Sequence, residues 1–139
     1  MKTITWILRL IPAVLMLQTL FFKFSAAPES VYIFTRLDME PWGRIGIGCM
    51  ELAASALLLI PRTTPVGALL AFGISAGAIF FHLTKLGIEV QDDGGILFIL
   101  AGIVFLTSGI LLIIYRKVFV ELIAQIIRKR VIVPTNRLE

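Results

Sequence analysis

The sequence predicts an all-α, membrane-embedded four-helix bundle, with a short helix in its outer loop and a basic amphipathic segment at its C-terminus. Three observations predict it. Four apolar runs approach the ~20 residues that a bilayer-spanning helix needs. Charged residues make up 16% of the 139, against about a quarter in soluble domains. The basic residues flank the runs, where they anchor and orient a membrane protein. With a mean hydropathy of +0.97, residues 1–139 read as a single transmembrane domain.

The first run, "ITWILRLIPAVLMLQTLFF" (4–22), is followed by "FSAAPES", which has the small residues of a signal cleavage site. Arg9 interrupts the run, so it is expected to be a retained helix. The segment "PESVYIFTRLDMEPW" is too long and apolar for a bare loop. Pro28 and Glu29 suit a first helical turn and Pro41 a stop, which predicts the short outer helix. The second run is "GRIGIGCMELAASALLLI" (43–60) and the third "VGALLAFGISAGAIFFHLT" (66–84). Small residues in the third allow close approach of backbones, and Gly73 and Gly77 form a Gly-x-x-x-Gly pair. The expectation is packing within the bundle, with a homo-oligomer through Gly73 and Gly77 as the sharper alternative. The fourth run, "GILFILAGIVFLTSGILLII" (95–114), follows Asp92-Asp93-Gly94, which reads as an N-terminal cap. The tail, 115–131, places Phe119, Leu122, Ile123, Ile126 and Ile127 on one helical face and Lys117, Glu121, Gln125 and Arg128 on another. It reads as a basic helix lying on a membrane surface.

Charge sets the expected topology. The 61–65 loop carries Arg62 and no acid, and the tail carries Arg116, Lys117, Arg128, Lys129, Arg130 and Arg137. The positive-inside bias places both termini and that loop in the cytoplasm of a cell inner membrane. Flanking charges explain the net +4, so no nucleic-acid partner is expected; membrane lipids are. The single Cys49 leaves neither a Cys-x-x-Cys dithiol nor a thiolate metal site within the chain.

Polar residues inside spans carry the chemistry, because a charge at the bilayer centre costs about 2.5–3.5 kcal/mol even on insertion scales. With a rise of about 1.5 Å per residue, Arg9 lies about 8 Å in from the cytoplasmic side and Glu51 about 14 Å. A buried structural ion pair between Arg9 and Glu51 is the expectation. Nearer the outer side, Gln18, Lys23, Arg44 and His82 come to similar depths. The bland reading is that Lys23 and Arg44 snorkel to headgroups and His82 bonds a carbonyl. The functional reading is a basic, partly wet pocket, formed with Glu51 and open outward, suited to an anion, a lipid headgroup or a quinone carbonyl. His82 and Glu51 would then serve as proton carriers. One histidine excludes bis-His haem ligation, and the serines lack a nucleophile constellation.

These residues resemble the DoxX and DoxX-like family of small membrane proteins. "LRLIPAVLMLQTLFFKF" is similar to the family's opening helix, with Arg9 and, fourteen residues later, Lys23. Gln18-Thr19-Leu20 stands where the family usually has a glycine. "GCMELAASALLLIPRTTPVGALL" resembles the second signature, through Glu51 and Arg62, and "GAIFFHL" resembles variants with a histidine near the end of the third helix. The likeness covers about residues 6–114. It implies a four-helix bundle in which Arg9, Lys23, Glu51 and His82 cluster. It also implies roles seen across the family, as subunits of quinone-reducing sulfur oxidoreductases, associates of redox-stress proteins or receptor-assembly chaperones. Three functions follow as expectations. The first is an accessory subunit holding a quinone or lipid, in company with a membrane redox partner. The second is an assembly factor for membrane proteins, and the third a small proton-coupled transporter. Whether the chain catalyses a reaction is left open, since any redox role needs a bound cofactor or a partner.

Overall fold

Hydrocarbon offers no hydrogen bonds, so a spanning chain must satisfy its backbone within each segment, and the apolar runs do so as α-helices. The computed structural model describes residues 2–131; Arg137 of the basic tail lies outside them. Helix α1 covers Lys2–Phe24, α2 Pro28–Arg36, α3 Trp42–Leu59, α4 Thr64–Phe81, α5 Ile96–Ile114 and α6 Arg116–Val131. A π-helical turn, His82–Leu86, continues α4. No strand occurs among the described residues. Helices α1, α3 and α5, and α4 with its π-turn, are each long and apolar enough to cross a bilayer. The chain is a multi-pass membrane protein.

Local chemistry sets the ends. Helix α4 begins at Thr64, before the expected residue 66, because Pro65 fits a first turn whose N–H groups have no helical acceptor anyway. Pro28 plays the same part in α2. That helix buries Ser30 and Phe34, four residues apart on one side, and leaves Tyr32 outside. At the entry to α5 the backbone turns through positive φ at Gly94 (64°) and Gly95 (79°), a conformation glycine adopts without strain.

The four spanning helices form a square. Helix α1 packs on α3 and α5, and α4 packs on the same two, so α1 and α4 sit diagonally opposite. One face of the bundle carries the start of α1, the α3–α4 turn and α6, and is called the terminal face below. The other, the loop face, carries α2 and the 87–95 loop. Trp6 stands near the terminal face and Trp42 at the loop face, both exposed. The core is built of small and medium side chains: Ala13, Met16, Ala54, Leu58, Ala68, Ala71, Val104 and Leu111. Large apolar residues point outward instead, among them Phe21, Leu106 and Ile113. Lipid tails are as apolar as leucine, so close backbone packing and internal hydrogen bonds hold the helices together. Buried Ser55, Ser75 and Ser108 each donate to the carbonyl four residues back, of Glu51, Ala71 and Val104.

The close approach between α3 and α4 falls at Gly67. A Cβ there would lie 2.6 Å from the Leu58 nitrogen and 2.8 Å from the Leu57 carbonyl carbon. Gly73 and Gly77 differ from expectation. A Cβ on either would meet nothing within 4 Å, so this pair does not pack the bundle. The third run keeps its small residues inward at Gly67, Ala71 and Ser75, one helical turn apart, with Ala68 beside Gly67, while Gly73 turns outward. Gly67→Ala is therefore expected to lower the melting temperature in detergent, at a cost of about 1–3 kcal/mol, because backbone cannot move aside for the methyl. Gly73→Ala and Gly77→Ala should leave it unchanged or raise it, alanine being the better helix former by about 1 kcal/mol. A thermal-shift series over the three variants checks the contrast.

Candidate functional site

The polar residues of α1 and α3 form three ties along the seam between these antiparallel helices. At the terminal face, Arg9 is buried, 3% exposed. Its Nε donates to the Leu58 carbonyl at 2.7 Å and its Nη2 to the Leu59 carbonyl at 2.7 Å. Its guanidinium lies 3.9 Å from the centre of the Trp6 ring. The last four carbonyls of a helix lack intrahelical partners, and α3 ends here. Thr63 Oγ1 donates to the Leu57 carbonyl and Thr64 Oγ1 to those of Leu58 and Ile60. Arg9 completes the set and brings a cation to the negative end of the helix dipole.

Midway, Lys23 Nζ lies 2.9 Å from Glu51 Oε2. Thr19 Oγ1 donates to the same oxygen at 3.0 Å. At the loop face, Arg44 Nε donates to both Glu40 oxygens at 2.8 and 2.9 Å, and its Nη2 stands 2.7 Å from Oε1. Its Nη1 donates to the Lys23 carbonyl, an unpartnered carbonyl at the end of α1. Arg9 and Arg44 are thus reciprocal: each projects from one helix and caps the C-terminal end of the other. The helices come close at Gly48, where a Cβ would meet the Phe24 ring at 3.1 Å.

The expected Arg9–Glu51 ion pair does not form; Glu51 pairs with Lys23 instead. Helical side chains tilt toward the N-terminus of their own helix. In antiparallel α1 and α3 this sends Lys23 down from the loop face and Glu51 up toward it, so they meet. The same tilt carries Arg9 away from Glu51, to the end of α3. Depth along the axis suggested the wrong partner because it ignored this lean.

Of the residues expected to converge near the outer side, Lys23, Arg44 and Glu51 come together and two do not. Gln18 is exposed, on the side of α1 away from buried Met16 and Leu20. His82 is buried at 5% exposure. Its Nδ1 lies 2.8 Å from the Gly87 carbonyl and its ring meets Phe98 edge-on. No hydrogen bond or ion pair joins it to Lys23, Arg44 or Glu51 among the described residues, so it fastens the π-turn to the 87–95 loop. Arg44 is committed to Glu40 and to α1. Two clear hollows lie away from these ties. An apolar groove of about 410 Å³ runs between α4 and α5, past Phe72, Phe105 and Gly109. Another, of about 320 Å³, sits at the start of α6. Among the described residues, no three His, Cys, Asp or Glu side chains gather as metal ligands.

A family model described as the DoxX-like family matches residues 7–92. The chain belongs to the DoxX-like family. No curated protein and no solved structure matches it. The DoxX-like match takes in α1 to α4, and with them Arg9, Lys23, Arg44, Glu51 and His82.

Two partners escaped the sequence reading, although both lay at helical spacing. Thr19 is four residues before Lys23, and Glu40 four before Arg44, which are neighbours on a helix surface. The 92–95 segment caps α5 as expected, through Asp93. Its Oδ1 accepts from the Val90 and Gly95 N–H groups and its Oδ2 from the N–H of Leu97. Burial pushes the Asp93 carboxyl up, but those three N–H groups, with His82 nearby, outweigh it and hold it below its ordinary value.

Two outcomes are expected. In double-mutant cycles on thermal stability, Lys23→Ala and Glu51→Ala should couple by more than about 1 kcal/mol, since each alone strands a buried charge. Arg9→Ala and Glu51→Ala should add to within about 0.5 kcal/mol, as groups without shared partners do. The second concerns pH. A carboxyl depressed by folding stabilises the loop at and above its ordinary value, 3.8, and loses that contribution as pH falls through the lowered one. Amide protection in residues 88–97, measured relative to the intrinsic exchange rate at each pH, should therefore fall below about pH 4 in the wild type. In Asp93→Asn protection should be low throughout, with no acid transition.

Proposed function

We propose that this DoxX-like protein is an accessory membrane subunit that holds the polar head of a small amphiphile against Lys23 and Glu51. A quinone is the occupant whose chemistry fits best, with a lipid as the competitor. The observation that supports this reading is unused hydrogen-bonding capacity. Glu51 receives both Lys23 and Thr19 on Oε2, and no hydrogen bond reaches its Oε1 among the described residues; since no buried side-chain oxygen there is without a partner, Oε1 is open to the surroundings. The Lys23 ammonium has three N–H donors and gives them no other acceptor there. Both side chains keep some exposure, 13% and 10%. A quinone carbonyl would accept from Lys23, and the hydroxyl of its reduced form would donate to Glu51 Oε1. The tail would lie in lipid beside α1 and α3. The sequence carries neither a dithiol nor a pair of haem ligands, so electrons would come from a partner protein. In this reading both termini and α6 face the cytoplasm of a cell inner membrane, where the basic residues 116, 117 and 128–130 meet anionic lipid.

An assembly factor is the second reading. It is favoured by the use of Arg9, Arg44 and the buried serines on the bundle's own backbone, which suits a rigid scaffold for other membrane helices. A proton-coupled transporter has less support, because among the described residues no chain of hydrogen bonds joins His82 to Glu51.

The test is native mass spectrometry of the protein drawn gently from its own membrane, with its small molecules identified. One quinone per chain is expected. It should be lost in Lys23→Met and kept in His82→Asn, with both variants still folded by circular dichroism. A ligand-free chain that co-purifies with another membrane protein would overturn the binding reading in favour of assembly.

A further inference from the structure

We propose that two copies of this chain associate through the lipid-facing side of α1, with their Gln18 carboxamides hydrogen-bonded to each other. The other polar side chains deep in the spans have at least one partner within the bundle. Arg9, Thr19, Glu51, Ser55, Ser75, Thr107 and Ser108 each have a partner. Gln18 is exposed and has no hydrogen bond among the described residues. It shares its side of α1 with Val14, Leu17 and Phe21, all exposed to the surroundings.

Depth makes this costly. Ala13 marks the middle of α1, which runs from Lys2 to Phe24, and Gln18 lies about 8 Å beyond it at a rise of about 1.5 Å per residue. The half-thickness of the hydrocarbon core is about 15 Å, so the amide sits inside it. Water is absent at that depth, and the side chain lacks the long stem with which lysine and arginine reach headgroups.

The chemistry identifies a second copy as the occupant. A carboxamide is both donor and acceptor, so two of them pair reciprocally. A copy inserted in the same sense brings its own Gln18 to the same depth. A two-fold axis along the membrane normal then sets like against like, as an isologous interface requires. A different partner would need its own polar group matched in depth. The open side of α4 at Gly73 and Gly77 strands no polar group and gives no comparable reason to be covered.

The experiment uses the full chain in lipid vesicles, with dimer fraction measured by single-molecule photobleaching as protein is diluted into lipid. Wild type should dimerise. Gln18→Leu, which suits lipid and leaves the bundle intact, should weaken the dimer by on the order of tenfold, while Gln18→Asn keeps most of it. In a Cys49→Ser background, Val14→Cys should form an intermolecular disulfide on oxidation and Gly73→Cys should not. A monomer at every dilution, or a dimer indifferent to Gln18→Leu, overturns the proposal. So does a disulfide at Gly73→Cys in place of Val14→Cys, which would move the interface to α4.

Discussion

A helix that ends in or near hydrocarbon leaves carbonyls that water cannot reach, and in this protein two arginines resolve that problem for two helices at once. Arg9 rises from α1 and takes the last carbonyls of α3. Arg44 rises from α3 and takes the Lys23 carbonyl at the end of α1. Each guanidinium has five N–H donors in a fixed fork, so one side chain can serve several acceptors. Each is itself a charge that would be costly in the membrane without them. The result is a reciprocal clamp that fixes the axial register of α1 against α3.

The remaining features depend on that register. With it set, Lys23 and Thr19 reach Glu51, and Gly48 passes the Phe24 ring. The end of α3, held by Arg9, Thr63 and Thr64, becomes a rigid floor on which α4 can start. Gly67 then brings the α4 backbone against Leu57 and Leu58, closer than any side chain would permit. Helix α5 closes the square mainly through packing against α1 and α4. Its own polar attachment is at the loop face, where Asp93 caps it, His82 ties the π-turn to Gly87, and Phe98 packs on His82. The bundle is thus polar-stitched on the α1–α3 side and packed by small residues and van der Waals contact on the other.

How much of this was legible in the sequence follows from which physical signal each feature leaves. The spans, the outer helix and the break before α6 are written in hydropathy and in proline and glycine, and they were read. That Arg9 and Glu51 turn inward follows from the cost of charge in lipid, and this too was legible; for Lys23 and Arg44 the sequence left snorkelling and convergence both open, and Gln18, expected to converge with them, faces out. The partners were not, because partner choice depends on the direction in which each side chain leans as well as on depth. The lean could have been included: in antiparallel neighbours it separates Arg9 from Glu51 and joins Lys23 to it. The misreading of Gly73 and Gly77 has another origin. A Gly-x-x-x-Gly spacing marks a smooth face without saying which way it looks, and the face that turns inward is the parallel run of small residues at Gly67, Ala71 and Ser75.

The polar residues in the spans then divide by what they leave unused. Arg9, Arg44, Ser55, Ser75 and Ser108 are spent on backbone carbonyls or a local carboxylate, and act as scaffold whatever the protein does. Lys23 and Glu51 are satisfied only in part, facing the seam between α1 and α3, and Gln18 is unsatisfied, facing out. For stability alone, a buried ion pair gains little over apolar side chains of similar size, so a bundle already clamped at both ends by arginine has small need of Lys23 with Glu51 between the clamps. A lipid-facing leucine in place of Gln18 would fit the membrane better still. Surplus hydrogen-bonding capacity at these positions is therefore the part of the molecule that folding does not explain. Facing the α1–α3 seam, it is the basis of the proposed headgroup contact, and facing lipid, of the proposed pairing of two chains.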